Sequence, residues 1–141
     1  TSLLAMVIDV TERIDGEHER MRLLADKERL AGRLQRQFER MPIACIVRDA
    51  AYRVVEVNPA AERLFGWSLA DLAGRDMLDI LVAEDDRSMV RSSVRQRLAA
   101  GEQAVRLVNR NVTRDGRELV CEWHTVQMPD GEHVLSMALD I

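Results

Sequence analysis

The sequence predicts an α+β domain: a five-stranded antiparallel sheet with short helices and one longer helix on one face, preceded by a long N-terminal helix. Three observations predict this class. A long proline-free stretch with an apolar stripe opens the chain. Two short runs rich in β-branched residues then precede a segment full of helix capping signals. Three further strand-like runs close the chain, joined by two Asp-Gly turns, which are strong hairpin signals.

Composition limits both the size and the class of the protein. The chain has 141 residues, 47% of them hydrophobic and 31% charged, which suits one ordinary domain with an appendage. The formal net charge of −4 gives no general attraction to phosphate backbones, so we expect no nucleic-acid binding. No apolar run approaches the roughly 20 residues of a membrane-spanning helix. Cys45 and Cys121 form neither a disulfide framework nor a metal spacing, which favours a reducing cytoplasm.

The stretch at residues 11–41 predicts one long helix. Thr11 is a suitable N-cap, and Pro42 ends the helix. One stripe repeats at spacings of three and four residues, and its members are Leu24, Lys27, Ala31, Leu34, Phe38 and Met41. All except Lys27 are apolar, so the helix needs a partner. The stripe either packs on its own domain or pairs with a second copy of the chain, and we favour the homodimer.

The segment after Pro42 begins with two predicted strands, in "IACIVRDA" and "YRVVEVN". Two short helices follow, each with its own start signal. Asn58 can cap the first helix, Pro59 suits its first position, and Gly66 can end it in a left-handed conformation. Ser68 and Asp71 have the spacing of a capping box at the start of the second.

The rest of the chain predicts one longer helix and three strands. A turn or short helix in "DMLDILVAEDD" leads to the amphipathic stretch "RSMVRSSVRQRLAAG", which ends at Gly101. The strands are "AVRLVNRNVTR", "RELVCEWHTVQM" and "EHVLSMALDI", with turns at Asp115-Gly116 and Asp130-Gly131. The helices thus fall in the middle of the sequence and can cover one face of the sheet.

Catalytic chemistry is not indicated. The three histidines, His18, His124 and His133, are too scattered to predict a site. The acidic run "AEDD" is explained by the start of a helix, where negative charge is favourable. We therefore expect a protein that is not an enzyme.

A pocket between the sheet and the helices is the candidate binding site. Strand alternation places Arg48 on one side of its strand and Cys45 and Val47 on the other. With polar sides outward, the residues that face the helices are Cys45, Val47, Cys121, Trp123 and Met137. Trp123 could then offer its indole N–H to a small-molecule ligand. The alternative is a filled core without any ligand.

The segment "YRVVEVNPAAERLFGWSLADLAGRDMLDILVAEDDR" resembles the signature stretch of PAS domains, the sensory modules of bacterial signalling proteins. The Asn-Pro helix start, the Phe-Gly pair followed by an aromatic residue, and the acidic pair before the longer helix agree in order and spacing. The hairpin "TRDGRELVCEW" is similar to later strands of that family. The resemblance covers residues 42–141.

This resemblance also accounts for the likeness between the two ends of the chain, "LLAMVIDV" and "VLSMALDI". PAS domains typically end in a strand with an Asp-x-Thr motif that leads into an outgoing helix. Asp9 and Thr11 carry that motif, and Asp140 occupies the equivalent place at the end of the chain. The implied organisation is the last strand of a preceding PAS domain at residues 1–10, a helical connector at 11–41 and a PAS domain at 42–141. Asp9, Thr11 and Asp140 are then joints that pass a signal to the next helix.

The resemblance further implies a function and the absence of common cofactors. The longer helix has no histidine to hold haem, and a lone methionine such as its Met89 is far more often a core filler than an axial ligand. The segment before that helix lacks the cysteine of light-sensing flavin domains. We expect no cofactor. The implied role is a sensor or relay module of a cytoplasmic signalling protein, either a two-component histidine kinase or a cyclic-dinucleotide enzyme. The alternative is a structural dimerisation spacer with no ligand.

Overall fold

The computed structural model describes residues 16–141. The chain divides into two compact units, Thr1–Gln37 and Phe38–Ile141. Helix α1 has the bounds Leu3–Arg40, is described from Gly16 onwards and ends just before Pro42, whose ring disfavours helical backbone in the residue that precedes it. The predicted long helix is confirmed over its described part. The strand predicted for residues 1–10, with Asp9 and Thr11, lies outside the described residues.

Helix α1 leaves its apolar stripe exposed within the first unit. Leu24 is 59% exposed and Leu34 is 58% exposed. Ala31 and Lys27 are also exposed. No described residue of this unit covers these side chains, so this part of the helix presents apolar surface.

The second unit is built on a five-stranded antiparallel sheet with the order β2-β1-β5-β4-β3. The strands are β1 (Ala44–Asp49), β2 (Val54–Val57), β3 (Ala104–Val112), β4 (Glu118–Gln127) and β5 (His133–Asp140). Both Asp-Gly turns form as predicted, because Gly116 and Gly131 adopt positive φ angles of 86° and 72°. The first and last strands of the domain, β1 and β5, pair at the centre of the sheet.

Four helices connect β2 to β3: α2 (Pro59–Phe65), α3 (Leu69–Leu72), α4 (Met77–Leu81) and α5 (Glu84–Ala99). The start signals predicted for α2 and α3 are confirmed. The Asn58 side chain accepts a hydrogen bond from Ala61 N at 3.0 Å, and the Ser68 hydroxyl accepts one from Asp71 N at 3.3 Å. Gly66 ends α2 in a left-handed conformation with φ 80°.

The start of α5 is fixed to the sheet by Asp86. Its carboxylate accepts hydrogen bonds from the Arg110 backbone N–H at 2.8 Å and from the Arg110 guanidinium at 2.9 Å. These contacts lower the pKa of Asp86. The acidic run therefore has a structural role at the junction of α5 and β3.

The helices cover one face of the sheet, which is the arrangement predicted. Residues opposite each other in an antiparallel ladder share a face, so the register defines both faces. We call the covered face the inner face, and its members are Ala44, Ile46, Arg48, Val105, Leu107, Asn109, Cys121, Trp123, Thr125, Val134, Ser136 and Ala138. The apolar inner residues join Phe65, Leu72, Leu81 and Val94 in two adjoining core clusters. The opposite, outer face exposes Val108, Val120 and Leu139.

Candidate functional site

A small cavity lies between the inner face and helices α4 and α5. Its volume is about 20 Å³, which is room for roughly one water molecule. Its apolar wall is formed by Met77, Leu78, Val82, Val90, Val94 and Leu107. Its polar wall is formed by Arg48, Tyr52, Asn109, Trp123, Thr125 and Ser136. We call this space the inner cavity.

Arg48 is the charged group of the inner cavity, and its side chain is only 4% exposed. Its guanidinium lies over the Tyr52 ring, with its central carbon 3.8 Å from the ring centroid. It donates one hydrogen bond, from Nη1 to the backbone oxygen of Asp49 at 3.1 Å. Burial lowers the pKa of Arg48. An arginine remains charged in proteins even so, which makes this a buried positive charge at neutral pH.

The turn between β1 and β2 holds Tyr52 against Arg48. Tyr52 is the one described non-glycine residue with a positive φ, 65°, a conformation that bulky side chains rarely adopt. The turn is tied by the Asp49 carboxylate, which accepts hydrogen bonds from Ala51 N and Arg53 N, each at 2.9 Å. The Arg91 guanidinium also lies near the Tyr52 ring, 4.8 Å from its centroid. Two cations therefore contact this ring.

Three uncharged polar side chains complete the polar wall. The hydroxyls of Thr125 and Ser136, on paired positions of β4 and β5, lie 3.3 Å apart. Asn109 on β3 is 5% exposed, and its Oδ1 is buried without a hydrogen-bond partner. A buried acceptor without a donor is unusual and destabilising. The inner cavity therefore contains unmet hydrogen-bonding capacity.

Trp123 was predicted to offer its N–H to a ligand, and the structure gives that N–H another partner. Trp123 Nε1 donates to Asn111 Oδ1 at 3.1 Å, and Asn111 Nδ2 donates to the Leu81 backbone oxygen at 3.0 Å. This chain of hydrogen bonds joins β4, β3 and the end of α4. Trp123 does line the inner cavity, but its ring stacks on Phe65 at a centroid distance of 5.8 Å. Trp123 therefore forms part of the cavity wall, and its indole N–H is already used within the protein.

The other predicted pocket residues lie away from the inner cavity. Cys45, Val47 and Met137 are on the outer face, because β1 turns Arg48 rather than its neighbours inward. The predicted orientation of β1 is therefore wrong. That prediction assumed that a charged side chain points to solvent. In the structure, the Arg48 guanidinium instead stacks on the Tyr52 ring and donates a hydrogen bond to the Asp49 carbonyl. Cys121 does face inward, but it belongs to the apolar core beside Trp123.

Both cysteines are poor nucleophiles in this setting. Burial raises the pKa of the Cys45 thiol, which lies 3.2 Å from the Met41 sulfur. Burial and the nearby Asp140 carboxylate raise the pKa of Cys121 to about 11. Thiols with raised pKa values are protonated at neutral pH, and the thiolate is the reactive form. Asp140, the predicted joint, is the last residue of β5 and is exposed.

The described residues contain neither a metal-site cluster nor a membrane-spanning helix. Within residues 16–141, no cluster of three or more His, Cys, Asp or Glu side chains has the arrangement of a metal site. No helix in that same range is long and apolar enough to cross a membrane. His124 lies on the outer face with Glu122, which also pairs with Arg106. His133 contacts Asp130 in the β4–β5 turn.

The fold has clear counterparts among known proteins. The sequence model of the PAS fold matches residues 32–141. The chain belongs to the PAS family. Sensor protein kinase FleS of Pseudomonas aeruginosa is 44% identical over 70 residues, which cover 48% of this chain and 17% of FleS. This PAS chain therefore corresponds to a minor part of that kinase.

Solved structures place it in the same family. A domain of a sensory box sensor histidine kinase/response regulator from Geobacter sulfurreducens is 25% identical, with a TM-score of 0.68 over 79% of this chain and 94% of that one. An RNA-binding light-oxygen-voltage receptor is 32% identical, with a TM-score of 0.68 over 79% of this chain and 32% of that one.

Sequence reasoning missed most of the polar wall. The residues of this wall that were not predicted are Arg48, Tyr52, Asn109, Thr125 and Ser136. Asn109 and Asn111 interrupt "AVRLVNRNV", and Ser136 interrupts "HVLSMALD". Polar residues that alternate with apolar ones normally indicate a solvated face, so this signal favoured the opposite interpretation.

We expect the purified protein to be colourless. The inner cavity holds about one water and its lining contains no histidine or cysteine, which leaves little room for haem or flavin. An absorption spectrum from 300 to 700 nm tests this expectation. A haem or flavin spectrum at near one equivalent per chain would contradict it.

Proposed function

We propose that this PAS domain is a non-catalytic sensor or relay module of a cytoplasmic sensor histidine kinase. The observation that carries the proposal is the likeness to sensor protein kinase FleS, at 44% identity over 70 residues. The kinase domain of such a protein would supply the chemistry. A cyclic-dinucleotide enzyme, the other output considered from the sequence, has no support among these relatives.

The inner cavity supports a sensory role over a purely structural one. A structural spacer gains most from an apolar, fully satisfied core, because an unpaired buried polar group is destabilising by about 1–3 kcal/mol. This core instead holds Arg48 and the unpartnered Asn109 Oδ1. Buried polar groups that lower the stability of the fold are expected where a ligand or a change of conformation uses them.

The sheet offers a route from the inner cavity to the end of the domain. Ser136 lies on β5, and the same strand ends at Asp140, four residues later. A change at the inner wall of β5 therefore reaches the C-terminal end of the domain along one strand. This is the place of the predicted joint, and we infer that Asp140 passes the signal onward.

The runner-up is a dimerisation spacer with no ligand. Mass spectrometry under non-denaturing conditions separates the two roles. For a sensor, we expect chains purified from cells to carry a small organic molecule that is released on denaturation. Chains that carry nothing under these conditions would favour the spacer.

We further propose that the chain forms a parallel homodimer through α1. The exposed stripe residues Leu24, Ala31 and Leu34 support this, and they continue towards the half-buried Phe38 and Met41. Burying one leucine contributes roughly 1.5–3 kcal/mol, and a two-fold symmetric interface doubles each gain. Parallel pairing places two PAS domains side by side. Lys27 in the seam keeps the affinity moderate.

Leu34→Glu tests this dimer. We expect it to shift the protein towards monomer, because it sets two like charges against each other in the seam. Ala25→Glu is the matched control, since it adds the same charge to the same helix beside the stripe. Sedimentation velocity of both variants and the wild type gives the result. The proposed interface is wrong if Leu34→Glu sediments as the same dimer as the wild type and Ala25→Glu.

A further inference from the structure

Arg48 has more hydrogen-bonding capacity than the domain satisfies. A guanidinium has five N–H donors, and among the described residues only the Asp49 carbonyl accepts from Arg48. No carboxylate of the described residues forms an ion pair with it. The nearby charges are mixed, since Asp49 and Asp76 favour the charged form of Arg48 and Arg91 opposes it. A buried arginine without a carboxylate partner leaves donors that an anion from outside the fold can accept.

Whereas Arg48 lacks acceptors for its N–H groups, Asn109 lacks a donor for its side-chain oxygen. Its Oδ1 is buried and unpartnered, so it requires a hydrogen-bond donor. The paired hydroxyls of Thr125 and Ser136 lie on the same wall of the inner cavity. Because this wall contains no carboxylate, a cationic ammonium group would enter without a counter-charge. A neutral hydroxyl is the donor that fits.

Arg48 and Tyr52 also line the entrance to the inner cavity. An open cleft of about 310 Å³ adjoins it, and Arg48, Tyr52 and Val94 line both spaces. These three side chains therefore form the wall between them. The cleft also contains Arg95 and Gln127, together with the apolar Leu98 and Val134. A negatively charged molecule in the cleft would be attracted by both Arg95 and Arg48.

We propose that the inner cavity and this cleft bind a small hydroxycarboxylate, with its carboxylate on Arg48 and its hydroxyl donating to Asn109 Oδ1. The space of about 20 Å³ holds no more than one water, so the ligand must displace the wall of Arg48 and Tyr52. Binding is then coupled to a movement of the β1–β2 turn. A ligand that binds only the displaced state shifts the population towards it, which is what a sensor requires.

The inference rests on the proposed sensory role for its use, but binding is measured independently of any kinase. The probes are lactate, propionate, which lacks the hydroxyl, and propane-1,2-diol, which lacks the carboxylate. Each is titrated into the 141-residue chain, and the Asn109 side-chain amide and Arg48 Nε–H signals are followed by nuclear magnetic resonance. We expect saturable shifts with lactate and at least tenfold weaker binding of the other two, because each lacks one of the two contacts.

Variants of Arg48 complete the test. We expect Arg48→Gln to weaken lactate binding about tenfold or more, since charge-assisted hydrogen bonds are roughly twice as strong as neutral ones. Arg48→Lys retains the charge and should recover part of the affinity. The Trp123 Nε1–H signal reports that each variant is folded. The inference is overturned if lactate moves no signal of the inner cavity, if the three probes bind equally, or if Arg48→Gln binds lactate as well as the wild type. Failure here leaves the kinase role standing, because that role is tested by kinase activity.

Discussion

Replacing Phe65 with alanine is expected to lower the free energy of unfolding by about 4 kcal/mol, a typical value for removing a buried phenylalanine. Phe65 is 1% exposed and stacks on Trp123, so its removal leaves a void between α2 and the inner face. The surrounding core includes Leu72, Leu81 and Cys121, which belong to separate elements and cannot all close on the space.

Phe65→Leu is the matched control. It retains most of the side-chain volume, and we expect a loss of about 1–1.5 kcal/mol. Urea denaturation followed by tryptophan fluorescence measures both variants. A loss for Phe65→Ala no larger than that for Phe65→Leu would show that this stack does not hold α2 against the sheet.

Replacing Asn58 with alanine is expected to lower the free energy of unfolding by about 3 kcal/mol, from a lost helix cap together with buried groups left unpaired. The Asn58 side chain is fully buried and serves two elements. Its Oδ1 accepts hydrogen bonds from Ala61 N at 3.0 Å and from Cys45 N at 2.8 Å, and its Nδ2 donates to Ile43 O at 2.8 Å. It therefore caps α2 and also fixes the start of β1.

Ser68→Ala is the matched control, because it shows what the loss of a helix cap alone costs. Ser68 caps α3 in a half-buried position, so its replacement should cost about 1 kcal/mol, the usual value of a helix cap. The same denaturation experiment compares the two variants. If Asn58→Ala costs no more than Ser68→Ala, the contacts of Asn58 with β1 contribute nothing measurable.

The contrast between these asparagine and serine caps shows what a sequence can predict. Local signals were sufficient for the starts of α2 and α3 and for both hairpins, because each depends on residues within a few positions along the chain. Asn58 was predicted as a cap for the same reason. Its bonds to Ile43 and Cys45 were not predicted, because these residues lie 15 and 13 positions away along the chain.

The inner cavity was harder to predict for a related reason. Alternation correctly separates Arg48 from Cys45 and Val47, but it does not say which side of a strand is buried. That choice depends on Tyr52, whose left-handed backbone brings its ring under the Arg48 guanidinium. Likewise, the donor of Trp123 is taken by Asn111, which lies 12 residues away on the neighbouring strand. Such pairings follow from the register of the sheet, which local patterns do not determine.

The central claim is that the state of the inner cavity controls a kinase. The most direct test replaces the matching segment of FleS with this PAS domain and measures the kinase activity of the chimera. Ser136→Val fills the inner cavity, and Ser92→Val makes the same change on the exposed side of α5. We expect Ser136→Val to change kinase activity about fivefold or more, the lower end of allosteric coupling, and Ser92→Val to leave it unchanged. A folded Ser136→Val chimera with the activity of the unmodified chimera would contradict the account.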